Sequence, residues 1–220
     1  LSYLNLDNFK TVAIKNMSYM FYECSSLTSL NLESFSTNNV NDTQNMFYGC
    51  KTLKFLNLSN FVTTNIMNME NMFSHCSSLE SIDLSNFNTI SVTQMNSMFQ
   101  NCFNLKSLDL SSFKVENVTN IEYMFKECRS LTSLDLSNFI TSNIDSTQEM
   151  FYGCSSLGKL IISNFDTRKV KSMKSMFYNC SSLSLLDLQN FNTSIVEDMS
   201  YMFYYCQNLT SFNVQNFDTR

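Results

Sequence analysis

The reactive side chains of this chain are few and evenly placed. Its eight cysteines fall at Cys24, Cys50, Cys76, Cys102, Cys128, Cys154, Cys180 and Cys206, one every 26 residues, and its one histidine is His75. Cysteines in that number suggest a disulfide framework or a set of thiolate metal ligands. If the chain winds in coils of 26 residues, each cysteine occupies the same point of its coil. Equivalent residues of stacked coils lie about 4.8 Å apart, as neighbours across strands do. A disulfide needs Cβ atoms about 3.8 Å apart and tilted toward one another, which a straight ladder does not offer, and a metal needs ligands that converge. The cysteines therefore read as a column of buried free thiols that fill space as small hydrophobes. Such thiols are inert and say little about redox compartment.

A second column is acidic. Asp83, Asp109 and Asp135 recur at the same spacing, flanked by Ser81, Ser107 and Ser133 on one side and Ser85, Ser111 and Ser137 on the other. Carboxylates stacked about 5 Å apart repel one another unless hydroxyls, water or a cation intervene. A cation or a polyhydroxyl ligand is one reading of this column, and a solvated polar face with Ser-Asp-Ser hydrogen bonds is the favoured one. Nothing else assembles a nucleophile, a base and an orienting group, and no glycine-rich phosphate loop is present, so the sequence predicts no enzyme, no cofactor and no metal centre.

These columns exist because the whole chain is one unit repeated, and internal repetition decides architecture before any other feature. Position 1 of the unit is Leu1, Leu27, Leu53, Leu79, Leu105, Leu131, Leu157, Leu183 and Leu209. Apolar residues follow at positions 4 and 6, as in Leu108-Asp109-Leu110, with the period of two of a short half-buried strand. A phenylalanine then recurs from Phe9 through Phe217, followed two residues later by Thr in every unit but the one with Val115. Asn and Thr hydrogen-bond backbone in turns, so this is the expected corner, with the ring turned inward. The second half changes period. Met95, Met98, Phe99 and Cys102, or Met173, Met176, Phe177 and Cys180, are spaced i, i+3, i+4, i+7. That is one stripe of a helix of about two turns, with Thr93, Thr119 and Asp145 at its N-cap and Gly49, Gly153, Asn101 and Asn179 as left-handed residues that end it. So short a helix persists only when stacked between neighbours.

LxxLxL followed by a turn and a short helix is a leucine-rich repeat. The fuller string LDLSNF…T…V…M..MF..C.SL, seen from Leu134 to Leu157, resembles the BspA-like leucine-rich repeat surface proteins of mycoplasma, other bacteria and several protists. The resemblance implies an α/β solenoid: a right-handed coil with one short parallel strand and one short helix per repeat, about eight and a half repeats over residues 1–220. It implies a surface-exposed or secreted protein that adheres to proteins or glycans of host matrix or other cells. It brings no active site, because the family is defined by scaffold residues and fold does not carry function.

Composition narrows the remaining choices. Fourteen basic and nineteen acidic residues give a net charge of −5, with no basic stripe for nucleic acid. The one basic cluster, Arg168, Lys169, Lys171 and Lys174, reads as a solvated face. No run approaches the roughly 18 apolar residues of a membrane helix. Proline is absent and glycine occurs three times, so no linker divides residues 1–220. The fourteen methionines mostly sit on the helical stripe and read as core.

Three apolar residues, Phe55, Ile161 and Leu185, interrupt the outward strand columns. With Asp83, Asp109 and Asp135 they form the candidate contact face. Glycosylation sequons stand at Asn16, Asn41, Asn57, Asn117, Asn179, Asn192 and Asn208, a number that so Asn-, Ser- and Thr-rich a chain produces by chance. The pattern begins at Leu1 and stops in mid-unit at Arg220 with no polar cap at either end. This predicts a segment of a longer array, or coils that stack head to tail on further copies into a filament.

Overall fold

The structure, a computed structural model, describes residues 2–6 and 8–218, with Phe212 described by its backbone alone. The expectations for Leu1, Thr219, Arg220 and the Phe212 side chain lie outside these residues. The chain is a leucine-rich-repeat-like solenoid of 26-residue coils. β1 (Ser133–Asp135) pairs in parallel with β2 (Lys159–Ile161). β3 (Leu185–Leu186) pairs likewise with β4 (Ser211–Phe212). Every pairing joins residues one repeat apart, as in Leu134 with Leu160. On the far side, bridges run from Asn16 to Asp42, Asn68, Gln94 and Asn120 in the same register.

The expected helix does not form: among the described residues no helix is present. In its place each coil carries a run of tandem β-turns. In the fourth coil Met98 N–H bonds Met95 O (3.3 Å), Gln100 N–H bonds Ser97 O (3.1 Å), Cys102 N–H bonds Phe99 O (3.2 Å) and Leu105 N–H bonds Cys102 O (3.2 Å). Ser97 and Asn101, third residues of two of these turns, have φ of 59° and 60°, as a type II turn requires. The N–H groups between them serve the next coil: Ser97 to Glu122 O at 2.8 Å, Phe99 to Met124 O at 2.9 Å and Asn101 to Lys126 O at 2.8 Å. A helix would direct these donors along its own axis and leave the coils joined by side chains alone. From Ser97 to Cys102 the tandem turns satisfy each N–H and also hydrogen-bond coil to coil, the pairing that buried backbone demands.

The turns also account for the apolar spacing. Leu84 to Phe87, Thr89 to Val92, Met95 to Met98, Phe99 to Cys102 and Cys102 to Leu105 are i to i+3 turns that begin and end on buried residues. Back-to-back turns thus reproduce the i, i+3, i+4, i+7 stripe of a helix. The expected left-handed residues are found at Gly49, Gly153, Asn101 and Asn179, and also at Glu23, His75, Glu127 and Tyr205, but each closes a turn. The capping role moves one residue along from the expected Thr93, Thr119 and Asp145. Asp42, Asn68, Asn120 and Asp198 accept the N–H two residues later at 2.8–2.9 Å.

Inside, Phe21, Phe47, Phe73, Phe99, Phe125, Phe151, Phe177 and Phe203 stack with centroids 5.5–5.9 Å apart. Such pairs add about 0.5–1.5 kcal/mol each beyond area burial. The corner rings from Phe35 to Phe191 are buried as expected. Where present, the Thr two residues after the ring and the Asn just before it bond the adjacent coil rather than nearby backbone. Thr63 Oγ1 accepts Asn88 N–H (2.7 Å) and donates to Asn88 O (3.0 Å), and Asn86 Nδ2 reaches Leu58 O and Phe61 O in the preceding coil. Where Val115 replaces Thr, Ile140 has no such bracket among the described residues.

Candidate functional site

The strand side carries the acidic column. Asp83, Asp109 and Asp135 line one open depression of about 600 Å³ together with Ser107 and Ser133. Each carboxylate accepts the N–H two residues on, Ser85, Ser111 and Ser137, at 2.9 Å. At Asp135 this turn closes the end of β1, and Asn31 and Asn57 make the same bond in their coils at 3.0 Å. The column is therefore structural first. Hydrogen bonds from the serines hold all three carboxyls below the usual carboxylate range, led by the Ser85 hydroxyl for Asp83 and by backbone N–H for Asp109 and Asp135. Lys159 beside Asp135 lowers it further.

The apolar candidates do not join this depression into one patch. Ile161 pairs with Asp135 in β-register and is half-buried. Leu185 is 64% exposed in β3, and Phe55, 63% exposed, lies coils away from both. The six expected face residues thus divide into a contiguous acidic trio, Ile161 and Leu185 on the neighbouring strands β2 and β3, and Phe55 by itself.

The other reactive groups are satisfied locally. The cysteines are free thiols, and each described one from Cys50 to Cys206 donates to the carbonyl of the Phe one coil back, Cys102 to Phe73 O at 3.2 Å. Burial pushes Cys50, Cys102 and Cys154 up to about 12. The His75 ring packs tilted at 48° against Tyr48 with centroids 4.9 Å apart and lies 3.1 Å from the Asn101 amide, and burial lowers its pKa. Among the described residues no cluster of three His, Cys, Asp or Glu could hold a metal ion. In the basic cluster Arg168 chelates Asp166 at 2.6 and 2.9 Å, and Lys169 bonds Asn143 at 2.8 Å.

Of the sequon residues, Asn16, Asn41, Asn57, Asn117 and Asn208 are exposed, while Asn179 and Asn192 are half-buried. The Asn117 amide donates to Ile90 O at 2.8 Å.

The sequence reading missed two features of the turn side. One is a tyrosine column two residues before the cysteines. Tyr152 and Tyr178 stack at 4.4 Å and 3°, Tyr178 and Tyr204 at 5.2 Å, and Tyr22 and Tyr48 at 4.9 Å. Lys126 enters the column with its ammonium 4.9 Å from the Tyr152 ring centroid and 2.6 Å from Glu149. The signal was present at position 22 of the unit but broken by Ser74, Gln100 and Lys126. The other is a pair of glycine seats. A Cβ on Gly49 or Gly153 would stand 2.7 Å from Cδ of Glu23 or Glu127 in the preceding coil. Each Glu-Gly pair therefore fits one register.

The chain belongs to the family described as Mycoplasma protein of unknown function, DUF285, whose pattern matches residues 3–81, 50–157 and 130–220. Among solved structures, a leucine-rich repeat protein of T. pallidum matches at 19% identity over 76% of this chain and 69% of its own, with a TM-score of 0.43. A leucine-rich repeat protein of Bacteroides ovatus matches at 18% over 91% and 70%, with a TM-score of 0.30. A leucine-rich cell surface protein of Faecalibacterium prausnitzii matches at 16% over 94% and 71%, with a TM-score of 0.31. No curated protein matches this chain. Among the described residues no helix is long and apolar enough to cross a membrane.

Proposed function

We propose that this protein is a non-enzymatic, surface-exposed or secreted scaffold of the BspA-like kind, contacting proteins or glycans of other cells or matrix through its strand side. The carrying observation is the contrast in what varies. The inward Phe21-to-Phe203 and Cys24-to-Cys206 columns keep one residue type in every coil, whereas the outward strand positions pass from Asn57 to Asp83, Asp109 and Asp135 and then to Ile161. Contact surfaces combine such polar and apolar points on a rigid support. The test is binding of the purified chain to matrix proteins, a glycan array and whole cells. Asp109→Asn, which keeps the acceptor for the Ser111 N–H, Ile161→Ser and Leu185→Ser are expected to weaken the interaction with little change in melting temperature. A chain that binds none of these, or binds equally well with all three substitutions, contradicts the reading.

A second reading is end-to-end stacking into an extracellular filament. It is favoured by the polarity of the coils, each of which directs a row of turn N–H groups at the carbonyls of the next. Any two coil faces are therefore complementary head to tail. Electron microscopy separates the readings: continuous fibres support stacking, and dispersed particles exclude it.

A further inference from the structure

The tyrosine column has no role in the proposed strand-side contact, and its geometry suits a different chemistry. Tyr152 and Tyr178 leave equivalent backbone positions of adjacent coils, and their rings are parallel within 3° at a centroid separation of 4.4 Å. At that distance carbons of one phenol are in van der Waals contact with carbons of the other. Both side chains are half-buried, open enough to meet an oxidant yet held by their coils. Tyr204 continues the stack at 5.2 Å and 27°, and Tyr22 with Tyr48 repeats it near the other end at 4.9 Å and 11°. The phenylalanine ladder beside it has similar spacing but no hydroxyl and lies in the core.

We propose that Tyr152 and Tyr178 form an oxidative cross-linking site, at which hydrogen peroxide acting through a one-electron oxidant of the haem peroxidase class joins the two phenols into a dityrosine stapling adjacent coils. Each phenol loses one electron and its hydroxyl proton. The two radicals couple at the carbons ortho to oxygen, and the hydrogens on those carbons move to the oxygens as the rings regain aromaticity. Two C–H bonds are thus replaced by one C–C bond, both hydroxyls are restored, and the peroxide takes up two electrons and two protons to give two waters. Stacking supplies the proximity that turns an encounter of two radicals into an intramolecular step. Tyr22 and Tyr48 form a second site of the same class. Tyr3, 67% exposed and without a ring contact among the described residues, has no such partner.

The test treats the dilute full chain with a haem peroxidase and hydrogen peroxide, follows dityrosine fluorescence, and maps linked tryptic peptides in the monomer fraction. The expected product joins peptide 130–159, which holds Tyr152, to peptide 175–220 through Tyr178, and the stapled monomer melts at a higher temperature. Tyr152→Phe keeps the ring stack, so it is expected to melt as the parent does. It is expected to lose this product and keep the Tyr22–Tyr48 link as an internal reference. In urea the yield of the Tyr152–Tyr178 link is expected to fall about tenfold as the effective concentration drops. No link between these residues in the monomer, coupling only between chains, or an equal yield from the unfolded chain overturns the proposal.

Discussion

The two long sides of each coil solve the same stacking problem differently. On the Met-to-Cys side, alternate N–H groups close turns within the coil and reach the next coil, while rings and thiols stack beneath them. On the strand side, named strands of two or three residues occur among the described residues only from β1 onward, and earlier coils keep single bonds such as Glu80 N–H to Lys54 O at 3.0 Å. The dense side fixes the spacing of the coils. The sparse side can then vary its outward residues without disturbing the stack, in keeping with the proposed contact surface there.

The largest break in this comparison is expected from the turn side. Phe125 is fully buried between Phe99 and Phe151, and Phe125→Ala is expected to cost about 3–5 kcal/mol of unfolding free energy. Leu185→Ser on the exposed strand face is expected to stay within about 0.5 kcal/mol. Denaturant titration of both variants measures the contrast, and equal losses would erase it.

The threonine bracket comes next. Thr89→Val leaves the Lys114 N–H and C=O without their 2.7 and 2.8 Å partners and is expected to cost about 1–3 kcal/mol. The reverse change, Val115→Thr, supplies the missing bracket at Ile140 and is expected to add about 1 kcal/mol, read as a higher melting temperature. Gly153→Ala meets both a φ of +72° and the Glu127 carboxyl and is expected to cost about 1–2 kcal/mol. Glu127→Ala in the same chain should relieve only the steric part, which a double-mutant cycle reads directly.

The smallest effects are on pH dependence, where each side has its own limb. Asp83, Asp109 and Asp135 have folded pKa values below their unfolded ones. Their contribution is present above the unfolded carboxylate range and is lost as pH falls through the folded values. Replacing all three with Asn, which keeps the turn acceptor as Asn57 does, should flatten the acid limb of a melting-temperature profile. Cys102 and Cys154 are raised to about 12. Their contribution is present below the unfolded thiol range, about 8.5, and is lost as pH rises toward the folded value.

Much of the scaffold was legible from residue type alone. The corner phenylalanines, the free thiols and the left-handed residue before Cys102 could each be read because one physical requirement fixed one position. The helix could not be excluded that way, since tandem turns and a helix share the stripe from Met95 to Cys102. What separates them is the positive φ of Ser97, Tyr123 and Glu149, imposed by hydrogen bonds to the neighbouring coil on side chains that carry no local sign of it. On the candidate face, the serine flanks of Asp109 foretold hydrogen bonds, but not that the carboxylate caps its own turn. The tyrosine column stayed hidden because its position is shared with Ser74, Gln100 and Lys126.

Residue-resolved amide hydrogen exchange tests the central claim most directly. If tandem turns stitch the coils together, Ser97, Phe99 and Asn101, whose N–H groups cross to the next coil, should exchange slowest, and Glu80 and Lys106 on the strand side markedly faster. Protection running evenly from Met95 to Cys102 with a helical dichroism signal, or strand-side amides as protected as those of the turns, would contradict it.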